Sequence, residues 1–230
     1  MDRPNIVALV PMRHDSERVP GKNYRPFAGR PLFHHIVIAL VNSNCFSKVA
    51  VDTDSPQVIA DLRENFPEVL ILERPIHLRD GAIPMNDVLM HSTSQVTADY
   101  YLQTHCTNPL LTSGTISRAI QTFLSGLPEY DSLFSVKRLQ TRLWTAGGVP
   151  LNHDSDRLVR TQDLPMVYEE NSCIYIFDRQ TLKKRANRIG ERPLHFEMDL
   201  IESWDIDEEI DFRTAELIFL NREQLGVSHI

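Results

Sequence analysis

An open, mostly parallel α/β sheet with helices on both faces is the fold this sequence predicts, and three observations predict it. Apolar strand-like runs alternate with helical patterns along the chain. The first strand passes directly into a loop that gathers Arg13, Arg18 and Lys22 around Pro20-Gly21. Other polar segments, Asp52-Thr53-Asp54 and the stretch after Gln103 among them, also follow directly on strands, and such sheets bind ligands beyond the carboxyl ends of their strands. A chain of 230 residues suits a single domain covering 1–230.

The elements follow in order. Residues 6–10 (Ile-Val-Ala-Leu-Val) read as a fully buried strand. Residues 32–41 read as a helix with Pro31 at its first turn. Residues 48–51 make a second strand, and Ser55-Pro56 then opens a helix to about Asn65, with Ser55 as its cap. A third strand covers 69–72. A helix from Asn86 or Asp87 to Val96 leads to a fourth strand, 99–103. Thr112 or Ser113 caps a helix in which Ile116, Ala119, Ile120 and Phe123 keep helical spacing. Residues 132–136 are another strand. From 137 to 170 the pattern weakens into polar turn material, which marks an excursion from the sheet. Residues 173–177 return as a strand, followed by a helix over 179–188. A last helix spans 208–222, with Ile210, Ala215, Leu217, Ile218 and Leu220 mostly serving a buried side.

Composition excludes several classes. A formal charge of −7 argues against a general nucleic-acid binder, which would be basic, and favours a small anionic ligand at the local basic loop. No run is long enough to span a bilayer, and Met1-Asp2-Arg3-Pro4 opens no signal peptide, so a membrane role is not expected. Cys45, Cys106 and Cys173 are far apart and odd in number, which points to a reducing, cytoplasmic setting and to buried thiols rather than disulfides or zinc ligands.

Four segments carry candidate chemistry. Three cations on one loop after a buried strand make a site for a polyanion, and Gly21 lets backbone N–H groups approach a phosphate closely. The alternative is a solvated basic loop. It is not a Walker loop, because Asn23 follows Lys22. In Asp205-Ile206-Asp207, an extended backbone points both carboxylates to one side, which suits Mg²⁺. The alternative is a capping role, with Asp207 starting the helix at Glu208. Gln103, Thr104 and His105 offer neutral hydrogen-bonding groups for a polyhydroxylated substrate, or else the segment serves turns and caps. Asn171 and Ser172 end the excursion. Tyr175 either reaches a ligand or fills the core, and its residue type favours the core. His34-His35 and the isolated histidines show no catalytic partner, and no Ser-His-Asp arrangement can be argued from residue order.

In their shared order these segments resemble the cytidylyltransferases that activate 3-deoxy-2-keto sugar acids, especially CMP-N-acylneuraminate synthetases. The resemblance covers almost the whole chain. It rests on Arg13…Ser16…Pro20-Gly21-Lys22-Asn23, Val51-Asp52-Thr53-Asp54, Glu73-Arg74-Pro75, Leu102-Gln103…Pro109-Leu110, Asn171…Ile174-Tyr175-Ile176 and Asp205-Ile206-Asp207. It implies a nucleotide-diphospho-sugar transferase-like sheet, CTP and a small acidic sugar as substrates, Mg²⁺ as cofactor, and a homodimer paired through the excursion. Carried over by position, it implies that Arg13, Ser16, Arg18, Gly21, Lys22 and Asn23 bind the nucleotide. Arg13, Lys22, Asp205 and Asp207 would form the catalytic set, with Asp205 and Asp207 holding the metal. Gln103, Asn171 and Tyr175 would meet the sugar.

The chain also departs from the family pattern. His14-Asp15 replaces a Gly-Gly pair, and Arg18 resembles the related CMP-KDO synthetases. Glu169 or Glu170 stands where a basic residue for the sugar carboxylate is expected, and Trp144 or Arg142 stands in place of an excursion lysine. The nucleotide half therefore matches more fully than the sugar half. KDO, another nonulosonic acid or a phosphonate are alternative acceptors, and a non-catalytic nucleotide-binding relative is the alternative to an enzyme.

Overall fold

The apolar run after Asn5 forms β1, Ile6–Met12, buried along its whole length. A strand covered on both faces has no solvated side, which is why its residues do not alternate with polar ones. The cationic loop follows. A small antiparallel ribbon of β2, Pro26–Phe27, and β3, Arg30–Pro31, then leads into α1, Leu32–Asn42. The structure, a computed structural model, describes residues 4–16 and 18–225.

Next come β4, Lys48–Thr53, α2, Pro56–Asn65, and β5, Leu70–Glu73. Ser55 caps α2 as expected, its hydroxyl accepting from the Val58 N–H at 3.4 Å. Helix α3, Met85–Gln95, leads to β6, Tyr100–Gln103, and α4, Ser113–Ser125, follows with Thr112 as its cap. The second half contains β7, Ser132–Leu139, β8, Val167–Phe177, α5, Arg179–Arg185, β9, Pro193–Glu197, and α6, Glu209–Leu220.

One seven-stranded sheet runs in the order β5-β4-β1-β6-β8-β7-β9. Pairings among β5, β4, β1 and β6 are parallel, as is β7 with β9. Only β8 runs against its neighbours, β6 and β7. The sheet is therefore open and mostly parallel, as predicted. Helices α1 and α4 cover one face through Phe33, Ile36, Ile120 and Phe123. On the other face, Leu89 of α3 and Leu182 of α5 pack with Val7 and Leu9.

A third apolar cluster places the site. Phe212 and Ala215 of α6 pack with Phe27, Leu32, Val19 of the cationic loop and Ile206. Ile206 is fully buried, which is worth about 1.5–3 kcal/mol for a side chain of its size. Its burial clamps the acidic segment against the basic loop.

Several expectations are corrected. The excursion 137–170 is narrower than its pattern suggests, because β7 runs on to Leu139 and β8 begins at Val167. Their outer ends are polar because they form a ribbon beyond the core. Helix α5 stops at Arg185, since Ala186 takes the left-handed conformation at φ 49°. Asp207 does not cap α6. Glu208 does, in a reciprocal capping box with Asp211. On α6, Phe212 and Ala215 are buried, whereas Ile210, Leu217 and Leu220 are more than 60% exposed. Strand β9 and the β2–β3 ribbon were not anticipated: β9 opens on Pro193 and buries only Phe196.

Candidate active site

The loop after β1 is held by its own polar groups. Asn23 donates to the Arg13 carbonyl at 2.6 Å and accepts from the Cys106 thiol at 3.1 Å, which ties the two ends of the loop together. Burial pushes the Cys106 thiol up to about 12, so it stays protonated and serves as a donor, not a nucleophile. Gly21 sits at φ 67°, and a Cβ there would come within 3.0 Å of the Tyr24 ring. His14 stacks on Tyr24, donates its backbone N–H to the Asp54 carboxylate at 2.8 Å, and meets the Ser55 hydroxyl at 2.9 Å. His14 thus fastens the loop to the end of β4 where the resemblance places a flexible glycine pair.

The loop's cations turn toward the acidic segment. Arg18 pairs with Asp207 at 2.5 Å. The Lys22 ammonium donates to the Ile206 carbonyl at 2.5 Å, and the Ile206 N–H donates to the Thr107 carbonyl at 3.0 Å. Three strand-end segments, distant in sequence, therefore converge at one rim.

Two cavities flank this junction. The first, about 450 Å³, is lined by Arg13, Ser16, Arg18, Lys22 and Asn23 on one side and by Arg74, Leu78, Met85 and His105 among others opposite. The buried Arg74–Asp52 pair stands beneath it, at 2.5 Å, with Ser92 donating to the second Asp52 oxygen at 2.8 Å. Burial, then the charges on Arg188 and Lys22, hold His105 down to about 3, so its imidazole is neutral. The second cavity, about 350 Å³, is lined by Lys137, Glu170, Asn171, Ser172, Trp204, Asp205 and Asp207 among others. Asn171 accepts from Ser135 at 2.5 Å and from the Cys173 N–H at 3.2 Å, but its buried amide nitrogen has no partner. The Trp204 indole nitrogen is likewise buried without one. Lys137 is paired with Glu169 at 2.8 Å.

Both carboxylates of the acidic pair are partly open to solvent. Water lost against the cleft walls still raises the Asp205 carboxyl above the ordinary aspartate value. The charge on Asp207 adds to that, and the Thr107 hydroxyl opposes it. Two carboxylates that repel one another in this way favour a cation between them. Among the described residues, no group of three or more His, Cys, Asp or Glu is placed to hold a metal.

The predicted residues divide cleanly. Arg13, Ser16, Arg18, Lys22 and Asn23 line the first cavity, with Gly21 forming their turn; Asn171, Asp205 and Asp207 line the second. Gln103 and Tyr175 line neither, and both are fully buried. Tyr175 packs in the core, as its residue type favours, while its hydroxyl reaches Glu170 and Ser172. Gln103 is bonded to His105 at 2.9 Å and to Arg188 at 2.6 Å. Sequence reasoning gave His105 a hydrogen-bonding role toward a polyhydroxylated substrate, and it lines the first cavity; it assigned no role to Arg74, Lys137 or Arg188. Arg74 carried a signal, since it directly follows a strand. Arg188 carried none, since the sequence pattern makes it only the polar end of a helix, whereas that helix stops at Arg185.

A parallel-sheet rim where a cationic loop faces paired carboxylates defines an α/β transferase acting on a phosphorylated ligand. The chain is more specific than that: residues 7–226 match the family described as Cytidylyltransferase, and the chain belongs to it. It is 29% identical over 238 residues to the CMP-N,N'-diacetyllegionaminic acid synthase of Legionella pneumophila, covering 96% of this chain and 99% of that one. It is 28% identical over 222 residues to the N-acylneuraminate cytidylyltransferase of Escherichia coli, covering 93% of this chain and 52% of the relative, about half its length. Among solved structures, a CMP:2-keto-3-deoxy-manno-octonic acid synthetase complexed with CTP superposes with a TM-score of 0.67 at 14% identity. That match covers 95% of this chain and 99% of the other, and it supports the sheet architecture. No helix among the described residues is long and apolar enough to cross a membrane.

Proposed function

We propose that this cytidylyltransferase transfers CMP from CTP to a sialic-acid-like 3-deoxy-2-keto sugar acid and releases pyrophosphate. The contact of Arg18 and Lys22 with the 206–207 segment carries the reading, because it sets the cationic cleft and the second cavity on either side of the acidic pair. CTP occupies the first cavity, with its triphosphate among Arg13, Arg18 and Lys22. The acceptor occupies the second, where the unpartnered Asn171 amide donates to it. The acceptor hydroxyl oxygen attacks the α-phosphorus in line. The bond from that phosphorus to the bridging oxygen breaks, pyrophosphate departs, and the acceptor proton passes to solvent. Arg and Lys groups fixed beforehand stabilise the charge that develops.

Mg²⁺ is the proposed cofactor. Two hard carboxylate oxygens without a complete protein cage suit an ion that takes its remaining ligands from phosphates and water. When bound, the ion would offset the charge on the departing pyrophosphate. Asp205 and Asp207 would hold it, and Arg18 would exchange Asp207 for a phosphate oxygen. A homodimer is also proposed. The support is the resemblance, together with Trp144, Val149, Leu151, Leu158 and Met166 of the excursion, each at least half exposed.

The test is pyrophosphate release from CTP with a panel of N-acetylneuraminic, legionaminic-type and KDO acceptors, with and without Mg²⁺. Turnover of a nonulosonic acid is expected. Asp207→Ala should lower kcat about 100- to 1,000-fold while the protein still melts cooperatively. Undiminished activity in that variant would remove the metal role, and preference for KDO would reassign the acceptor.

A further inference from the structure

Arg188 occupies an unusual position. Its guanidinium lies 3.6 Å above the centre of the Tyr175 ring and donates to the Gln103 side-chain oxygen at 2.6 Å. Its own backbone N–H is held by Asn86 at 3.3 Å. Among the described residues no carboxylate forms an ion pair with it, and its partners are a neutral amide and an aromatic face. Gln103 and Tyr175 face one another across the β6–β8 pairing, so the guanidinium rests on two adjacent strands in the middle of the sheet.

Arg188 lines neither cavity itself, but each of its two side-chain partners bonds to residues that line one of them. Gln103 bonds His105, which lines the nucleotide cleft. The Tyr175 hydroxyl reaches Glu170 and Ser172, which line the second cavity. The lysine lining the second cavity, Lys137, is neutralised by Glu169. A negatively charged acceptor entering there meets Glu170 and both aspartates, and so needs a cation that is not already paired. A guanidinium held flat by an aromatic ring, with hydrogen-bond donors to spare, suits two-point recognition of a carboxylate.

We propose that Arg188 binds the carboxylate of the acceptor, and so sets the enzyme's preference for an acid over the corresponding neutral sugar. This rests on the sugar-acid reading above. Gln103 and Tyr175, which the resemblance assigns to the sugar, act through Arg188: one orients it by a hydrogen bond and the other by stacking.

The experiment is steady-state kinetics of the full chain and of Arg188→Gln and Arg188→Lys, varying each substrate in turn. The acceptor is the sugar acid, or its methyl ester as a neutral analogue. In Arg188→Gln, KM for the acid should rise on the order of 10- to 100-fold, the effect of losing a charge-assisted hydrogen bond, with KM for CTP within about twofold of the parent. Discrimination against the ester should largely disappear. Arg188→Lys should fall between, because it keeps the charge and loses the planar fork. Melting curves with and without CTP verify that each variant is folded; where Arg188→Gln is not, the ester comparison in Arg188→Lys decides. An unchanged acceptor KM with discrimination retained overturns the proposal while leaving the cytidylyltransferase reading intact. Parent enzyme that turns over no sugar acid overturns both.

Discussion

At the residue scale, burial decides which titratable groups remain available. His35 is buried in α1, and its ring nitrogen donates to the Phe27 carbonyl at 2.9 Å. Desolvation, the largest influence, lowers it from 6.5 to about 4, with the charges of Arg30, His34 and Arg222 adding and the Phe27 bond opposing. Between those values the unfolded chain binds a proton that the folded one refuses. Stability is therefore full above the unfolded value and falls as pH falls toward the folded one. Comparing His35→Gln with the parent by denaturant unfolding at about pH 7.5 and about pH 5 checks this. The parent should lose roughly 2 kcal/mol more than the variant over that interval. Equal losses would show that other groups govern the acid limb. The same physics explains part of what sequence reading missed. Tyr175 and Gln103 have ligand-binding chemistry, but whether such groups meet solvent depends on what packs over them. Here that is Arg188, whose polar surroundings gave no pattern to read.

At the scale of elements, the termini of helices carry more than stability. The Ser55 hydroxyl both caps α2 and meets His14 in the cationic loop. Ser55→Ala should cost about 1 kcal/mol, or roughly 2–4 °C in Tm. It should also raise KM for CTP severalfold, because the loop loses an anchor. Calorimetry and initial rates measure the two effects separately, and a change in Tm alone would show that His14 needs no help from α2. Caps of this kind were legible: Ser55 and Thr112 stand before periodic apolar runs, and both act as predicted. The cap of α6 was not, because Asp207, Glu208 and Asp211 are chemically interchangeable candidates. Only the clamp on Ile206 decides which of them faces the helix and which faces the cleft. Helix α6 misled for a related reason: its apolar residues exceed the face that the rest of the chain covers.

For the whole molecule, alternation of strands and helices revealed the fold class, since each parallel crossover leaves its own apolar signature. The position of β8 left no such mark, because an antiparallel return needs no distinctive composition. Residues 140–166, between β7 and β8, project the exposed Leu158, which is 93% accessible, with Trp144 and Val149. Leu158→Glu should convert the proposed dimer to a monomer of 26.4 kDa by sedimentation with the melting curve of the subunit retained. A parent that sediments as a monomer would dismiss the dimer. The strand order has a further consequence for how the enzyme comes into being. Because β8 sits between β6 and β7, a nascent chain halted before residue 177 presents β6 with an unpaired edge in the middle of an unfinished sheet. Such a fragment is prone to stick to its neighbours on the ribosome, and it still lacks the proposed metal-holding carboxylates at 205 and 207, which emerge almost thirty residues later.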